Sequence, residues 1–267
     1  MSNNRKSSAM TIKIKYLIIL LFLANLSVKA QFGFSHEVGG FVGGVAMQSD
    51  FGVRHDFETN AGNTGFGVGL VHYLNFAYSA ECNCYSPETY FNDHFKVRSE
   101  LSYNSTQLQH FGKWVDKNSV TGNQLKAMRG EARVTDIGMQ LEYYPLSIRE
   151  FTATNGAFAP FIALGAHYTF FQNGTYSELG AIGIPSTTPV KYIGATSDEG
   201  GSTWSIVASV GTRYKLNEMS DLFAELRWQY YFSDWVDGLR PDPEIYTENK
   251  ANDWNAWFNV GYIYYLD

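Results

Sequence analysis

Residues 95–104 read Phe-Lys-Val-Arg-Ser-Glu-Leu-Ser-Tyr-Asn, and apolar and polar side chains alternate along this stretch. Every odd position except Ser99 is apolar, and every even position is charged or polar. Successive side chains of a β-strand point to opposite faces, so a period of two predicts a strand with one apolar and one charged face.

The same period of two recurs along the rest of the chain. In the segment nearest the N-terminus, the pairs Gly39-Gly40 and Gly43-Gly44 obscure which side chains share a face. The sequence therefore predicts eight strands. Beside 95–104, these are 32–47, 64–78, 136–143, 162–170, 204–216, 222–232 and 254–266.

The connections between the predicted strands alternate in length. Long polar connections alternate with shorter links, and an even strand count with this asymmetry is typical of up-and-down membrane barrels. The fold class predicted is all-β, an eight-stranded antiparallel up-and-down transmembrane β-barrel. The long connections are 48–63, 107–131, 173–202 and 233–253, and the short ones are 79–93, 147–156 and 217–220.

The apolar face of the predicted strands is unusually aromatic, whereas the opposite face is rich in small and charged residues. Trp and Tyr collect at the boundary between lipid and water, so an aromatic face indicates lipid on the outside. A soluble barrel would have these faces inverted. The aromatic residues near predicted strand ends are Trp204, Tyr214, Trp228, Tyr230, Trp254, Tyr262 and Tyr264.

The first thirty residues have the pattern of a secretory signal peptide. Basic residues precede an uncharged apolar run at 16–26, which is too short for a membrane-spanning helix, and Val28-Lys29-Ala30 provides a cleavage site. We expect a signal peptide at 1–30 and an outer-membrane β-barrel at 31–267. The cell outer membrane is then the expected location, with outer-membrane lipid as a partner.

Charge balance excludes one class of partner. Removal of 1–30 takes five of the 20 basic residues and none of the 26 acidic ones, which leaves a net charge of −11. A chain this acidic repels nucleic acid, and it carries no basic stripe with interleaved aromatic residues. We therefore expect no nucleic acid among the partners.

The C-terminal segment carries a short pattern that resembles the terminal-strand signal of outer-membrane barrels. Asn259, Gly261, Tyr264 and Leu266 place a polar residue, a glycine and two large apolar residues at fixed spacing on the last predicted strand. The resemblance implies that the barrel-assembly machinery recognises this segment.

Charged residues of both signs fall on the face opposite the aromatic residues and form a predicted lumen charge network. Mixed charges inside a narrow barrel pair with one another and plug it, because an uncompensated buried charge is costly. The alternative is a polar conduit lined by the same residues. The nine members are Lys96, Arg98, Glu100, Asp136, Glu142, Arg213, Lys215, Glu225 and Arg227.

The sequence offers little support for an active site. Its six His residues lack zinc-site spacing, and no dinucleotide, nucleophile-elbow or phosphate-loop motif occurs. We expect no catalytic residue, cofactor or metal. Cys82 and Cys84 are interpreted as an inert pair or a local disulfide in an oxidising compartment. The segment 233–243 resembles a loose calcium loop but lacks the full pattern, and partner recognition is an equal alternative there.

Several segments resemble a family of uncharacterised flavobacterial proteins. Some members carry a glutamate dehydrogenase label, which the signal peptide and the missing dinucleotide motif contradict. The overall layout, including His36-Glu37-Val38-Gly39, is also similar to the PorG-like small barrels of type IX secretion. Neither resemblance implies a catalytic residue. The family likeness lies in 31–39, 57–60, 63–67, 71–76, 223–237 and 249–266.

These patterns together predict a non-enzymatic integral outer-membrane barrel that serves as an anchor or accessory subunit of an envelope or secretion assembly. Its long loops or periplasmic turns would bind envelope proteins. A narrow channel for ions or small solutes and a soluble secreted β-barrel carrier are the alternatives.

Overall fold

The computed structural model describes residues 34–53, 56–79, 84–85 and 89–266. The predicted signal peptide at 1–30 lies outside the described residues. So does Cys82, and the structure does not test the predicted pairing of Cys82 with Cys84.

Eight strands and three short helices account for most of the described chain. A two-stranded hairpin and three single-turn 3-10 helices lie in the connections, the latter at Phe57–Thr59, Val190–Tyr192 and Thr247–Asn249. The strands and helices in chain order are β1 (Ser35–Gln48), β2 (Thr64–Asn75), β3 (Tyr78–Ser79), β4 (Cys84–Tyr85), α1 (Tyr90–His94), β5 (Phe95–Gln109), α2 (Val120–Ala127), β6 (Met128–Tyr143), α3 (Ile148–Ala153), β7 (Phe158–Ser177), β8 (Gly201–Asn217), β9 (Ser220–Tyr231) and β10 (Trp254–Tyr265).

The eight long strands form one closed antiparallel barrel in the order β1-β2-β5-β6-β7-β8-β9-β10. Each strand pairs with its neighbour in the chain, and β10 pairs with β1 from Glu37 opposite Tyr265 to Gln48 opposite Trp254. Closure leaves no strand edge with unpaired backbone groups, as a bilayer requires. The predicted eight-stranded up-and-down barrel is confirmed.

The exterior of the barrel is apolar. Leu70, Leu164, Val210 and Leu226 point outward and form a middle band with 55–64% of each residue exposed. Two aromatic girdles flank this band. The girdle at the long-loop end contains Tyr168, Phe170, Trp204, Trp228, Tyr230 and Trp254, and the other contains Phe95, Tyr143, Phe158, Tyr214, Tyr262 and Tyr264.

The spacing of the girdles matches the thickness of a membrane. Trp254 and Tyr264 lie ten residues apart on β10. At about 3.3 Å per residue and a tilt of about 40°, this distance spans about 25 Å along the membrane normal. The soluble-carrier alternative requires the apolar side chains inside, and the structure places them outside. No helix in the described part of the chain is long and apolar enough to span a bilayer.

The connections differ in detail from the sequence-based prediction. β5 continues to Gln109 and β6 begins at Met128, so the connection between them is shorter than the predicted loop 107–131. This connection contains α2. The four long loops are L1 (49–63), L2 (110–127), L3 (178–200) and L4 (232–253). They lie at one end of the barrel, which the general pattern of such barrels assigns to the extracellular side.

Candidate functional site

All nine residues of the predicted lumen charge network point into the barrel and are buried. Because every strand alternates its side chains, the inward positions of neighbouring strands meet at similar heights and form layers. Two inward acids, Glu37 on β1 and Asp221 on β9, extend this set beyond the sequence-based prediction.

The layer at the short-turn end is organised around Glu37. Its two carboxylate oxygens accept hydrogen bonds from Lys96 Nζ and Arg213 Nη1, each at 2.6 Å. Arg213 also stacks on the Tyr73 ring, with its guanidinium carbon 4.1 Å from the ring centroid. Asp221 lies 3.5 Å from both Lys215 Nζ and Arg213 Nη1. Every cation in this layer therefore has a carboxylate within 4 Å.

The middle layer consists of two arginines that share acidic partners. Arg227 donates two hydrogen bonds to Glu100, at 2.5 and 2.7 Å, and a third to Glu225 at 2.8 Å. Arg98 Nη1 lies 2.9 Å from Glu225 and 3.1 Å from Glu142. The forked contact with Glu100 fixes the Arg227 guanidinium, and Arg98 shares Glu225 with it, so these side chains pack across the lumen.

The layer nearest the long loops is polar and contains a carboxylate that has no cationic partner among the described residues. Asp136 Oδ1 accepts hydrogen bonds from Thr169 Oγ1 at 2.5 Å and from Gln229 Nε2 at 2.8 Å. His167 also lies in the lumen, fully buried, and neither ring nitrogen has a hydrogen-bond partner among the described residues. At this end of the charge network, neutral hydrogen-bond donors rather than cations contact the carboxylate of Asp136.

The opposing charges in the described lumen nearly balance. Six carboxylates, including Glu37 and Asp221, accompany five cations. Sequence reasoning missed Glu37 because the glycine pairs of β1 obscured the facing of that strand. Asp221 shares the even spacing of Glu225 and Arg227, so the period of β9 contained the signal that would have found it.

The wall formed by β1, β2, β9 and β10 carries an apolar cluster on its inner side, beside its charged residues. Phe41, Phe223 and Trp257 fill this half of the lumen, together with Val45, Val71, Tyr73 and Ile263. Glycines on β2 make room for them, since a Cβ at Gly67 would lie 2.1 Å from the Trp257 ring and one at Gly69 would lie 2.3 Å from Phe41. Large rings and glycines therefore pack in complementary positions inside the narrow barrel.

Both mouths of the barrel are covered by packed side chains. At the extracellular end, Phe51, Tyr192, Val236 and Leu239 from the loops pack on inward strand residues such as Phe171. At the short-turn end, Ile148 and Phe151 of α3 pack against Tyr144, Ala159 and Phe161. An apolar cluster thus packs at each end of the charged lumen, and a cleft of about 220 Å³ beside the short-turn cluster reaches Lys215 and Tyr265.

Loops L1, L3 and L4 form one hydrogen-bonded cap. The Asp50 amide donates to Asp237 Oδ2 at 2.8 Å, and Asn249 Nδ2 donates to Asp50 Oδ1 at 2.8 Å. The amides of Val236 and Asp237 donate to Asp253 Oδ2. Asp50 and Asp237 therefore tie L1 to L4, and Asp253 fixes two amides within L4. Tyr192 of L3 joins the cap through its hydroxyl, which donates to the Asp50 carbonyl at 3.1 Å.

The three cap aspartates repel one another. Burial, with the charges of Asp237 and Asp234 adding to it, raises the pKa of Asp50 to about 9. Burial and Asp234 likewise raise the pKa of Asp237 to about 7. The pKa of Asp253 is raised by burial and by Asp237 and Asp50. The cap is therefore most favourable when part of this set is protonated.

The calcium-loop interpretation of 233–243 gains no support from the geometry. Within the part of the chain that the structure describes, no group of three or more His, Cys, Asp or Glu residues has an arrangement suited to a metal ion. Both carboxylate oxygens of Asp237 accept backbone amides, and so does Oδ2 of Asp253.

The four residues of the predicted assembly signal lie on or next to β10 and face two directions. Asn259 points inward and donates to Glu225 Oε1 at 2.9 Å, and Gly261 packs against Phe223. Tyr264 and Leu266 point outward toward the lipid, with about half of each residue exposed.

No family model and no curated protein matches the sequence. Among solved structures, the chain is similar to Neisserial surface protein A (12% identity, 86% of this chain and 96% of that chain, TM-score 0.44). It is also similar to the attachment invasion locus protein Ail of Yersinia pestis, solved with the heparin analogue sucrose octasulfate (12%, 88% and 100%, 0.43), and to OprG from Pseudomonas aeruginosa (16%, 87% and 96%, 0.40).

The exterior of the barrel itself indicates that the protein spans a membrane. A closed barrel with an apolar band about 25 Å tall, two aromatic girdles and a charged interior is the form that outer-membrane barrels take. The chain is an integral outer-membrane β-barrel.

Proposed function

We propose that this protein is a non-enzymatic, non-conducting barrel that serves as an anchor or accessory subunit of an envelope or secretion assembly. The observation that carries the proposal is the filling of the interior. Paired charges occupy the lumen, and apolar clusters cover both mouths. With the interior filled in this way, the surfaces left for function are the loops and turns outside the membrane.

The extracellular loops offer apolar contacts to a partner protein. Each long loop exposes a large apolar side chain, with 68–79% of the residue accessible: Phe57 on L1, Val120 on L2, Val190 on L3 and Ile245 on L4. Apolar side chains that a folded protein leaves in water are common components of protein interfaces. The resemblance of the sequence layout to PorG-like barrels supports the proposal of a secretion assembly as the partner.

Two measurements test this proposal. The first is a tagged purification from native membranes in mild detergent, followed by identification of co-purifying proteins. We expect envelope proteins in stoichiometric amounts. The second is the conductance of the purified barrel in planar bilayers, which we expect to stay at the level of protein-free membranes.

The alternative is a narrow channel for ions or small solutes. It is favoured by the charged side chains that extend along the lumen from Lys215 to Asp136. A barrel that purifies alone and conducts steadily would favour the channel over the accessory subunit.

A further inference from the structure

A pocket of about 430 Å³ opens among the extracellular loops. Its lining comes from L1 at Phe51–Val53, from L2 between His110 and Leu125, from L3 at Pro189–Tyr192 and from Glu248 of L4. Sites for small organic molecules have volumes of about 300–1,000 Å³ and mostly apolar linings with a few polar groups. This pocket has those properties and lies outside the membrane.

The floor of the pocket is a run of packed aromatic rings. The His110 ring lies between Phe51 and Tyr192, with centroid distances of 4.9 and 5.2 Å. All three are buried in the cap and held by the apolar cluster at the barrel mouth. Leu125 of α2 packs beside them. The buried rings give the pocket a rigid apolar floor, which favours an apolar ligand.

The buried face also contains a polar atom that lacks a partner. His110 is 7% exposed, and its Nε2 has no hydrogen-bond partner among the described residues. Burial lowers the pKa of His110 to about 3, so the ring is neutral at physiological pH. A neutral ring with an unused nitrogen in the lining is a feature of a polar contact site rather than of a purely apolar packing defect.

The rim of the pocket is positively charged on the L2 side. Lys117 Nζ lies 3.8 Å from the centroid of the Trp114 ring, and no carboxylate pairs with it among the described residues. Ser119 caps the N-terminus of α2 by accepting a hydrogen bond from the Gly122 amide, so the positive end of this helix faces the same lining. On the other side, Lys191 is already paired with Glu248 at 2.8 Å.

We propose that this pocket binds a small amphipathic anion. The apolar body would lie in the pocket against Trp114 and Leu125, above the packed rings that form the floor. The anionic group would lie at the rim beside Lys117 and the first turn of α2. This inference goes beyond the anchor role and does not depend on it.

The test uses 2-naphthoate as the probe and 2-naphthamide as its neutral counterpart. Binding to the full barrel in lipid nanodiscs is measured by calorimetry, with the signal of empty nanodiscs subtracted. We expect saturable 1:1 binding of 2-naphthoate and weaker binding of 2-naphthamide by a factor of about two to five, the range of an exposed ion pair.

Two variants and two matched controls assign the binding to this pocket. Thr121→Trp, at an exposed position of the lining, should fill the entrance and abolish binding, whereas Asn123→Trp on the same helix should not. Lys117→Met should weaken the binding of 2-naphthoate by the same factor as replacement of the charged probe with the neutral one. Lys126→Met, an exposed lysine of α2 away from the lining, should leave binding unchanged.

Three results would overturn the proposal. The first is no saturable signal above that of empty nanodiscs. The second is equal binding to wild type and Thr121→Trp. The third is equal affinity for the two probes together with unchanged binding of 2-naphthoate to Lys117→Met. This result would show that the pocket does not select an anionic ligand. Each variant is judged to be folded when it resists unfolding on unheated gels as strongly as the wild-type barrel does.

Discussion

Arg98 shows how a charged side chain is accommodated inside this membrane protein. Its guanidinium is fully buried and lies within 3.5 Å of carboxylate oxygens of Glu100, Glu142 and Glu225. Removal of a buried charge from water is costly, and only close partners compensate for that cost. The three carboxylates in turn depend on Arg98 and Arg227, so the middle layer is stable only when complete.

We predict that Arg98→Ala destabilises the barrel by about 3–5 kcal/mol, the usual effect of removing one partner of a buried ion pair. Conductance should not rise, because apolar clusters still cover both mouths. The free energy is measured by denaturant unfolding in lipid, and the conductance in planar bilayers. Arg133→Ala removes an exposed cation from the same sheet and should change stability little. A large conductance in Arg98→Ala would argue for an open charged lumen.

Asp50 makes the extracellular cap sensitive to pH. Its pKa of about 9 in the folded cap lies well above the unfolded value of 3.8, because burial and the charges of Asp237 and Asp234 disfavour ionisation. The folded cap thus binds more protons than the open cap between about pH 4 and pH 9. Its stability is fully present below pH 4 and falls as the pH rises through that window.

We predict that the backbone amides of L4 lose protection from hydrogen exchange between pH 5 and pH 8.5, after correction for intrinsic exchange rates. Asp50→Asn should flatten this dependence, since it removes the charge and keeps the Oδ1 that accepts from Asn249. Asp242→Asn, an exposed residue of L4, serves as the control and should behave as wild type. Equal pH profiles for wild type and Asp50→Asn would contradict the prediction.

The strands were the part of the fold that could be predicted from the sequence. A period of two follows directly from strand geometry, so the alternation in 95–104 predicted both the strand and its two faces. The cap could not be predicted in the same way. The contact of Asp50 with Asp237 joins residues 187 positions apart, and nothing local to either residue indicates its partner. The pocket among L1, L2, L3 and L4 depends on such contacts and was missed for the same reason.

The interior rings show a second limit of the alternation pattern. Trp257 and Phe41 are large and apolar, yet they point into the lumen with the charged residues. Their facing depends on Gly67 and Gly69 of β2, which leave space opposite them. Apolar character alone does not distinguish a lipid-facing ring from one packed against a glycine on a neighbouring strand.

β10 combines barrel closure with the predicted assembly signal. Gly261 is required for packing, because an added Cβ would lie 2.6 Å from the Gly40 carbonyl oxygen and 2.3 Å from the Phe223 ring. Tyr264 faces lipid and makes no comparable demand on the interior. Substitutions at the two residues therefore separate an effect on barrel closure from an effect on the predicted recognition by the assembly machinery.

We predict that the double variant Gly261→Ala and Tyr264→Ala reaches the outer membrane at a strongly reduced level and is degraded in the periplasm. Immunoblots of fractionated envelopes measure this level. Gly44→Ala with Tyr262→Ala is the matched control, since an added Cβ at Gly44 meets no atom within 4 Å and Tyr262 is also lipid-facing. Tyr264→Ala alone tests recognition of the C-terminal segment without the packing defect at Gly261. A normal outer-membrane level of the double variant would contradict the assembly-signal hypothesis.

At the scale of the whole molecule, the barrel is a rigid support for one structured surface. The lumen is filled by ion pairs and by rings packed against glycines. At the extracellular end, L1, L3 and L4 are tied to one another through Asp50, Asp237 and Tyr192. The apolar cluster at the mouth ties them to the strands. Loops fixed in this way hold their exposed side chains in a constant arrangement, which lowers the ordering cost of binding a partner.

We predict that replacing the exposed loop side chains Phe57, Val120, Val190 and Ile245 with Ser abolishes co-purification of envelope partners and leaves the barrel folded. These side chains are 68–79% exposed, so their removal takes little from the packed interior. Partner yield is measured by quantitative mass spectrometry after purification in mild detergent, and folding by resistance to unfolding on unheated gels.

The matched control changes one exposed polar residue on each of the same loops to Ser: Glu58, Asn123, Glu199 and Glu244. This control should retain the partners, because a partner that reads apolar contacts does not depend on those groups. Loss of partners in both variants would indicate a general loop effect. Retention in both would exclude the extracellular loops as the binding surface and leave the short-turn end, where α3 closes the barrel, as the site of attachment.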